Sequence, residues 1–132
     1  EAEPELADFG SETILLVEDE NSVLAITQRI LQMRGYKVLP AHSSAEALRI
    51  ASVPNQQIDL VVTDVVMPGM NGREFVEALH VHAPGIPVLY MSGYTDDDII
   101  RRGLMDSSVA FLQKPFTARS LARLVRSVLD AS

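Results

Sequence analysis

Residues 62–69 read V-T-D-V-V-M-P-G, a short apolar run that delivers one acid, Asp64, into a loop. A carboxylate at the end of such a strand is costly to bury unless something compensates its charge. The apolar run I-L-L-V at residues 14–17 ends in the same way, with three acids at 18–20. Both runs therefore indicate buried strands that carry acids to their carboxyl ends.

Short apolar runs alternate with longer amphipathic ones along the whole chain. The runs predict strands at Thr13–Val17, 36–39, 58–63, 86–91 and 109–112, and helices at 21–34, 44–53, 72–80, 96–102 and 118–129. Strands that are apolar without alternation are expected where helices cover both faces of a sheet. Five strand–helix units of this kind predict an α/β fold, a three-layer α/β/α sandwich around a parallel sheet.

Local signals mark several helix ends. Gly35 stands where a residue with positive φ is expected after the first helix, and Thr117 can cap the last one. Thr95 with the acids at 96–98 suits the start of the fourth helix. In the last helix the apolar residues recur at helical spacing, while Arg119, Arg123 and Arg126 lie off the apolar face.

Composition limits the class of protein. The 132 residues, 47% of them hydrophobic, suit one domain at 13–132 preceded by an acidic linker or tail at 1–12. No apolar run approaches the ~20 residues of a membrane span, and no signal peptide is recognisable. With no cysteine, these features predict a cytoplasmic domain without direct membrane contact. The net charge of -7 argues against nucleic acid and favours a protein partner or a cation.

Polar side chains stand at the carboxyl ends of four predicted strands, where such sheets bind their ligands. They are Glu18, Asp19, Asp64, Ser92 and Lys114. Two carboxylates about 4 Å apart repel by on the order of 4 kcal/mol, so a cation is expected between them. Oxygen ligands without cysteine favour Mg²⁺, with Mn²⁺ as the alternative. A cation, a lysine and a hydroxyl around Asp64 would suit phosphoryl transfer to that carboxylate.

The chain resembles the receiver domain of two-component response regulators over roughly residues 13 to 130. The similarity lies in the stretches I-L-L-V-E-D-E, V-T-D-V-V-M-P-G-M-N-G, Y-M-S-G-Y-T and F-L-Q-K-P-F. The resemblance implies a flavodoxin-like, doubly wound sheet of five strands in the order 2-1-3-4-5. It also implies a phosphoprotein that carries an aspartyl phosphate.

The resemblance implies a role for each matching position. Asp64 would be the phosphoacceptor, and Glu18 and Asp19 the acidic pocket. Asp19 and Asp64 would bind the metal with the backbone carbonyl of Val66, and Glu18 through water. Ser92 would hydrogen-bond the phosphoryl group, Phe111 would be the switch aromatic, and Lys114, before a cis peptide bond to Pro115, would contact a phosphoryl oxygen. The family often has Asp at the position of Glu18 and Tyr at that of Phe111.

The implied function is phosphorelay signal transduction. The partner would be a histidine kinase domain, in cis or in trans, and a histidine phosphotransfer protein could follow. Phosphorylation would draw Ser92 toward the phosphoryl group, let Phe111 turn inward and change the surface of the fourth helix, fifth strand and fifth helix. The stretches Y-M-S-G-Y-T-D-D and F-L-Q-K-P-F resemble those of the C-terminal receivers of hybrid sensor histidine kinases. A single-domain response regulator is the alternative. Whether the domain hydrolyses its own acyl phosphate, and whether a parent chain is membrane-associated, is left open.

Other interpretations of these residues remain. A flavodoxin-like cofactor binder would need a phosphate-binding loop after the first strand, where acids stand instead. A haloacid-dehalogenase-like phosphatase, with an Asp nucleophile, is expected to have a second acid at the position of Val66. The acids at 18–20 could simply favour the start of the first helix, and Phe111 could be core packing. His42, His80 and His82 are expected to be surface residues.

Overall fold

The computed structural model describes residues 8–93 and 109–131. Its strands are β1 (Thr13–Val17), β2 (Lys37–Ala41), β3 (Leu60–Asp64), β4 (Val88–Ser92) and β5 (Ala110–Gln113). The helices of this part of the chain are α1 (Asn21–Met33), α2 (Ser44–Ala51), α3 (Gly72–His82) and the C-terminal helix (Ala118–Asp130). The predicted fourth helix at 96–102, with its start at Thr95, lies outside the described residues.

The five strands form one parallel sheet in the order β2-β1-β3-β4-β5, which confirms the predicted topology. The predicted bounds of β3 and β4 were wrong by one or two residues. Asp64 and Ser92 are the last residues of these strands and do not follow them, because each still pairs with a neighbouring strand. Asp64 lies opposite Met91, and Ser92 lies opposite Gln113.

Both faces of the sheet are covered, which explains the continuous apolar runs. Alternate residues of β1 enter different cores: Ile14 and Leu16 pack with α1 and the C-terminal helix, whereas Leu15 and Val17 pack with α2 and α3. All four side chains are fully buried. The sheet is therefore the middle layer of the predicted sandwich.

The predicted helix ends at Gly35 and Thr117 are confirmed. Gly35 follows α1 with φ +97°, and the Thr117 side chain accepts a hydrogen bond from the Ser120 N–H at 3.0 Å. Asn71 caps α3 in the same way, through the Glu74 N–H at 2.9 Å. No helix within 8–93 or 109–131 is long and apolar enough to cross a membrane.

The start of α3 lies against the end of β3. The Gly72 N–H donates to the Val65 carbonyl at 2.8 Å. A Cβ atom on Gly72 would lie only 2.3 Å from the backbone oxygen of Asp64, and 3.0 Å from the Val65 Cα. Backbone atoms cannot turn aside as a flexible side chain can, so only glycine permits this approach.

We expect Gly72→Ala to lower the free energy of unfolding by roughly 1–3 kcal/mol, since the added methyl group forces the backbone of Asp64 and α3 apart. Denaturant unfolding would measure the loss. Gly93→Ala is the matched control, because a Cβ there meets no atom of the described residues within 4 Å. Equal stability of the two variants would contradict the proposed close packing.

Candidate functional site

The sheet brings four strand ends to one edge, here called the carboxyl edge. Glu18 and Asp19 follow β1, Asp64 ends β3, Ser92 ends β4 and Lys114 follows β5. The backbone holds two of these ends together directly, because the Lys114 N–H donates to the Ser92 carbonyl at 2.7 Å. The peptide bond between Lys114 and Pro115 is cis, as the resemblance implied.

Lys114 joins two carboxylates from different strands. Its Nζ lies 2.5 Å from Glu18 Oε1 and 2.9 Å from Asp64 Oδ2. The side chain of Glu18 is 1% exposed, that of Asp64 9% and that of Lys114 18%. Three residues far apart in the sequence thus form one buried ionic cluster.

Burial and pairing act in opposite directions on these groups. Burial raises the pKa of the Glu18 carboxyl above its ordinary value, although the hydrogen bond from Lys114 lowers it in part. Burial lowers the pKa of Lys114, but its hydrogen bonds to Glu18 and Asp64 outweigh that effect and raise the pKa overall. Lys114 is therefore a fixed positive charge at neutral pH, and it is what keeps Glu18 ionisable in the protein interior.

Together with Asp19, the acids of the cluster provide the donor atoms of a cation site. One carboxylate oxygen from each of Glu18, Asp19 and Asp64 lies within 4.8 Å of the other two, and Asp19 faces solvent. When ionised, three carboxylates outnumber the single ammonium of Lys114 by two charges. A divalent cation with a preference for oxygen ligands fits both the charge and the ligand type.

The two oxygens of Glu18 already have partners. Oε1 accepts from Lys114, and Oε2 accepts from the Glu20 N–H at 3.1 Å. Asp64 Oδ1 accepts a long hydrogen bond, 3.4 Å, from the Val66 N–H, so the backbone of Val66 lies beside the carboxylate. Glu20 is the N-cap of α1 but makes no side-chain cap hydrogen bond. Glu18 and Asp19 thus face the cluster in addition to standing before a helix, whereas Glu20 contributes its backbone N–H.

The remaining predicted residues surround the cluster less closely. The Ser92 side chain is buried at the carboxyl edge. Phe111 is half-buried on β5, packed against the core formed with α2 and α3, and lies opposite Tyr90 of β4. Both placements are compatible with the predicted roles, which stay predictions.

None of the three histidines belongs to the ionic cluster, although His42 directly follows β2 at the carboxyl edge. His42 is exposed beside Glu46, with Nδ1 3.3 Å from Oε1, and the His80 Nε2 lies 3.0 Å from the Ile86 carbonyl oxygen. His82 is exposed at the end of α3.

Two supporting residues were missed by sequence reasoning. Gly72 permits the approach of α3 to the Asp64 backbone, and Thr63 donates from Oγ1 to the Asp64 carbonyl at 3.1 Å. The glycine ends the stretch V-T-D-V-V-M-P-G-M-N-G, but its spacing alone does not indicate which backbone it meets. The hydroxyl of Thr63 carries no sequence signal, since threonine is common in strands.

A family model for the response regulator receiver domain matches residues 14–126. The chain belongs to the response regulator receiver domain family. This assignment favours the receiver over the cofactor-binding and phosphatase alternatives, and it makes the protein a domain of two-component signalling.

Relatives place this receiver near one of a hybrid kinase. It is 42% identical over 121 residues to the sensor kinase CckA of Brucella abortus, covering 92% of this chain and 13% of the kinase. It is 33% identical over 117 residues to the uncharacterized transcriptional regulatory protein YbdJ of Bacillus subtilis, covering 89% of this chain and 50% of the relative. The receiver therefore spans half or less of the length of these relatives.

Solved structures agree with the sequence relatives. The receiver domain of the hybrid histidine kinase CckA matches with a TM-score of 0.74 and 37% identity, covering 89% of this chain and 98% of that one. Chemotaxis protein CheY4 of Vibrio cholerae matches with a TM-score of 0.79 and 29% identity, covering 90% and 99%.

Replacing Lys114 should show how much the buried acids destabilise the fold when they have no positive partner. We expect Lys114→Met to lower the free energy of unfolding at pH 7 by about 3 kcal/mol, because Glu18 and Asp64 lose their buried partner. The loss should shrink as the pH falls. Because folding raises the pKa of Glu18, this residue contributes its full stability below about pH 4.5, its ordinary pKa, and the contribution is lost as the pH rises through the folded pKa. Without the hydrogen bond from Lys114, the folded pKa lies higher still.

Chemical denaturation between pH 4 and pH 7 in metal-free buffer would measure this dependence. Lys37→Met is the matched control, since Lys37 is exposed at the start of β2. A loss in Lys114→Met that does not change with pH would contradict the role given to the lysine.

Proposed function

We propose that this receiver accepts a phosphoryl group on the carboxylate of Asp64. The observation that carries the proposal is the position of the Lys114 Nζ, 2.9 Å from Asp64 Oδ2 and bound at the same time to Glu18. A fixed ammonium beside a carboxylate can neutralise charge on an incoming phosphoryl group without rearrangement of the site.

The transfer follows from the carboxylate chemistry. An oxygen of Asp64 attacks the phosphorus of a phosphohistidine, the P–N bond breaks, and the imidazole leaves with the bonding pair and takes up a proton. The product is an acyl phosphate on Asp64. Lys114 can then contact a phosphoryl oxygen in place of the carboxylate oxygen that it binds in the unmodified protein.

The acids at the carboxyl edge would hold Mg²⁺, or Mn²⁺ as the alternative. When bound, the ion supplies positive charge that offsets the acids and the phosphoryl oxygens. Asp19 is the more direct ligand in this proposal, because both oxygens of Glu18 already accept hydrogen bonds and suit contact through water. Asp64 and the backbone carbonyl of Val66 would be the other protein ligands of the metal.

The signal would leave the site through β4 and β5. Ser92 would turn toward the phosphoryl group, and Phe111 would move into the space that opens. The outer surface of β5 and the C-terminal helix would change with it, together with the predicted fourth helix. A partner that binds the changed surface would then favour that state.

The donor we propose is a histidine kinase domain, in cis within a hybrid kinase or in trans, with transfer in the cytoplasm. An apolar hollow of about 420 Å³ beside Lys114 supports such a partner. Its lining includes Val23 and Ile26 of α1 and Phe116 after β5, and Ile26 is 59% exposed. A donor domain must bind next to the acceptor in order to transfer the phosphoryl group, and this apolar surface lies there. A phosphotransfer protein could bind the same surface.

The acceptor assignment is tested by labelling. With radiolabelled acetyl phosphate and Mg²⁺ we expect the wild type to take up label, and Asp64→Asn to take up none, because an amide is not a nucleophile for this transfer. Chelation of the metal with EDTA should reduce uptake strongly. Asp59→Asn is the control, since Asp59 directly precedes the opposite end of β3 and its Oδ2 accepts from the Thr13 N–H. Label on Asp64→Asn equal to that on the control would refute the assignment.

The donor surface is tested separately. We expect Ile26→Glu to slow transfer from isolated, phosphorylated histidine kinase cores and to leave labelling by acetyl phosphate unchanged, since a small donor needs no docking surface. Met33→Glu is the control, because Met33 is also exposed on α1 but does not line the hollow. Equal rates of kinase-dependent transfer for the two variants would show that the hollow is not the docking site.

A further inference from the structure

The described part of the predicted linker, residues 8–12, lies on the folded domain. The Gly10 N–H donates to the Arg34 carbonyl at 3.0 Å, and the Glu12 carbonyl accepts from the Lys37 N–H at 3.1 Å. Asp8 is buried, and the guanidinium of Arg34 lies 5.7 Å from the centre of the Phe9 ring. Backbone and side chains of this segment therefore both contact the domain.

Arg126 of the C-terminal helix holds the segment by several hydrogen bonds. Its Nη1 and Nη2 donate to Glu12 Oε1 at 3.0 Å and Glu12 Oε2 at 2.7 Å, a two-pronged ion pair. Nη1 also lies 3.3 Å from the Phe9 carbonyl oxygen and 3.3 Å from the Tyr36 hydroxyl. Asp130, one turn further along, accepts from Nε and Nη2 and fixes the orientation of the guanidinium.

The backbone after α1 is shaped to receive the segment. A Cβ on Gly35 would lie 2.3 Å from the Gly10 carbonyl oxygen, and Gly35 has φ +97°. Glycine at this position thus ends α1 and also permits the close approach of Gly10. A segment without specific contacts to the domain would not require the Gly10 backbone to lie so close to Gly35.

We propose that Arg34, Gly35, Tyr36 and Arg126 form an intramolecular docking surface for residues 8–12, and that Arg126 locks this segment in place. The folded unit then includes residues 8–12. Because Arg126 belongs to the C-terminal helix, this segment is tied directly to one element of the surface proposed to switch. The docking itself does not depend on phosphorylation.

The test compares Arg126→Gln with Arg123→Gln in the unmodified 132-residue chain. Both arginines lie on the C-terminal helix, and Arg123 is exposed. Amide hydrogen exchange would follow the Gly10 N–H against the amide of Leu15 in the core. We expect Gly10 to exchange about tenfold faster or more in Arg126→Gln, as loss of a charge-assisted hydrogen bond implies, with Leu15 unchanged. Equal exchange of Gly10 in the two variants would overturn the proposal.

A nitroxide gives a second measurement. The chain has no cysteine, so Ser11→Cys provides a single labelling position on the exposed side of the segment. We expect the nitroxide to become much more mobile in the Arg126→Gln background and to keep its wild-type mobility in the Arg123→Gln background. An immobile label in both backgrounds would count against the lock.

Glu12→Gln tests the same contact from its other partner. It is used alone if Arg126→Gln does not fold, where unchanged exchange of Gly10 would contradict the proposal, and otherwise also in the double variant. It should speed exchange of Gly10 by a smaller factor than Arg126→Gln does. When added to Arg126→Gln in the double variant, Glu12→Gln should cause no further increase, because both changes remove the same interaction. Factors that simply multiply in the double variant would contradict the pairing. Labelling of Asp64 by acetyl phosphate should be unchanged in all three variants, so failure of the lock can be distinguished from failure of the phosphoacceptor role.

Discussion

The contact of Lys114 with both Glu18 and Asp64 is the constraint on which the rest of the receiver depends. Buried carboxylates from two strands repel each other and lose hydration, and a single ammonium compensates both. β5 lies on the far side of β4 from β3, and Lys114 reaches both acids past the end of β4. The topology of the sheet therefore sets the geometry of the site.

The compensation is incomplete, and we propose that this favours reaction at Asp64. Asp19 adds a third acid at the solvent side, so the carboxyl edge keeps an excess of negative charge that a cation can relieve. A fully neutralised cluster would be a stable ion pair with little tendency to react. In this receiver the backbone of Asp64 packs against Gly72 and accepts a hydrogen bond from Thr63, while its carboxylate lies next to a charge that could equally serve a phosphoryl group.

Much of this arrangement could be predicted from the sequence, because it depends on local patterns. Continuous apolar runs predicted covered strands, Gly35 and Thr117 predicted helix ends, and acids at strand ends predicted the carboxyl edge. The exact ends of β3 and β4 could not be predicted, since they depend on pairing with neighbouring strands. Arg126 was expected only to lie off the apolar face, because its partner Glu12 is 114 residues away and no periodicity relates them.

Identification of the modified residue is the most direct test of Asp64 as the phosphoacceptor. The receiver would be treated with acetyl phosphate and Mg²⁺, the acyl phosphate reduced with borohydride, and the peptides analysed by mass spectrometry. We expect a reduced side chain at position 64 and at no other acid. Modification of Glu18 or Asp19 with Asp64 intact, or no modification of the folded protein, would contradict it.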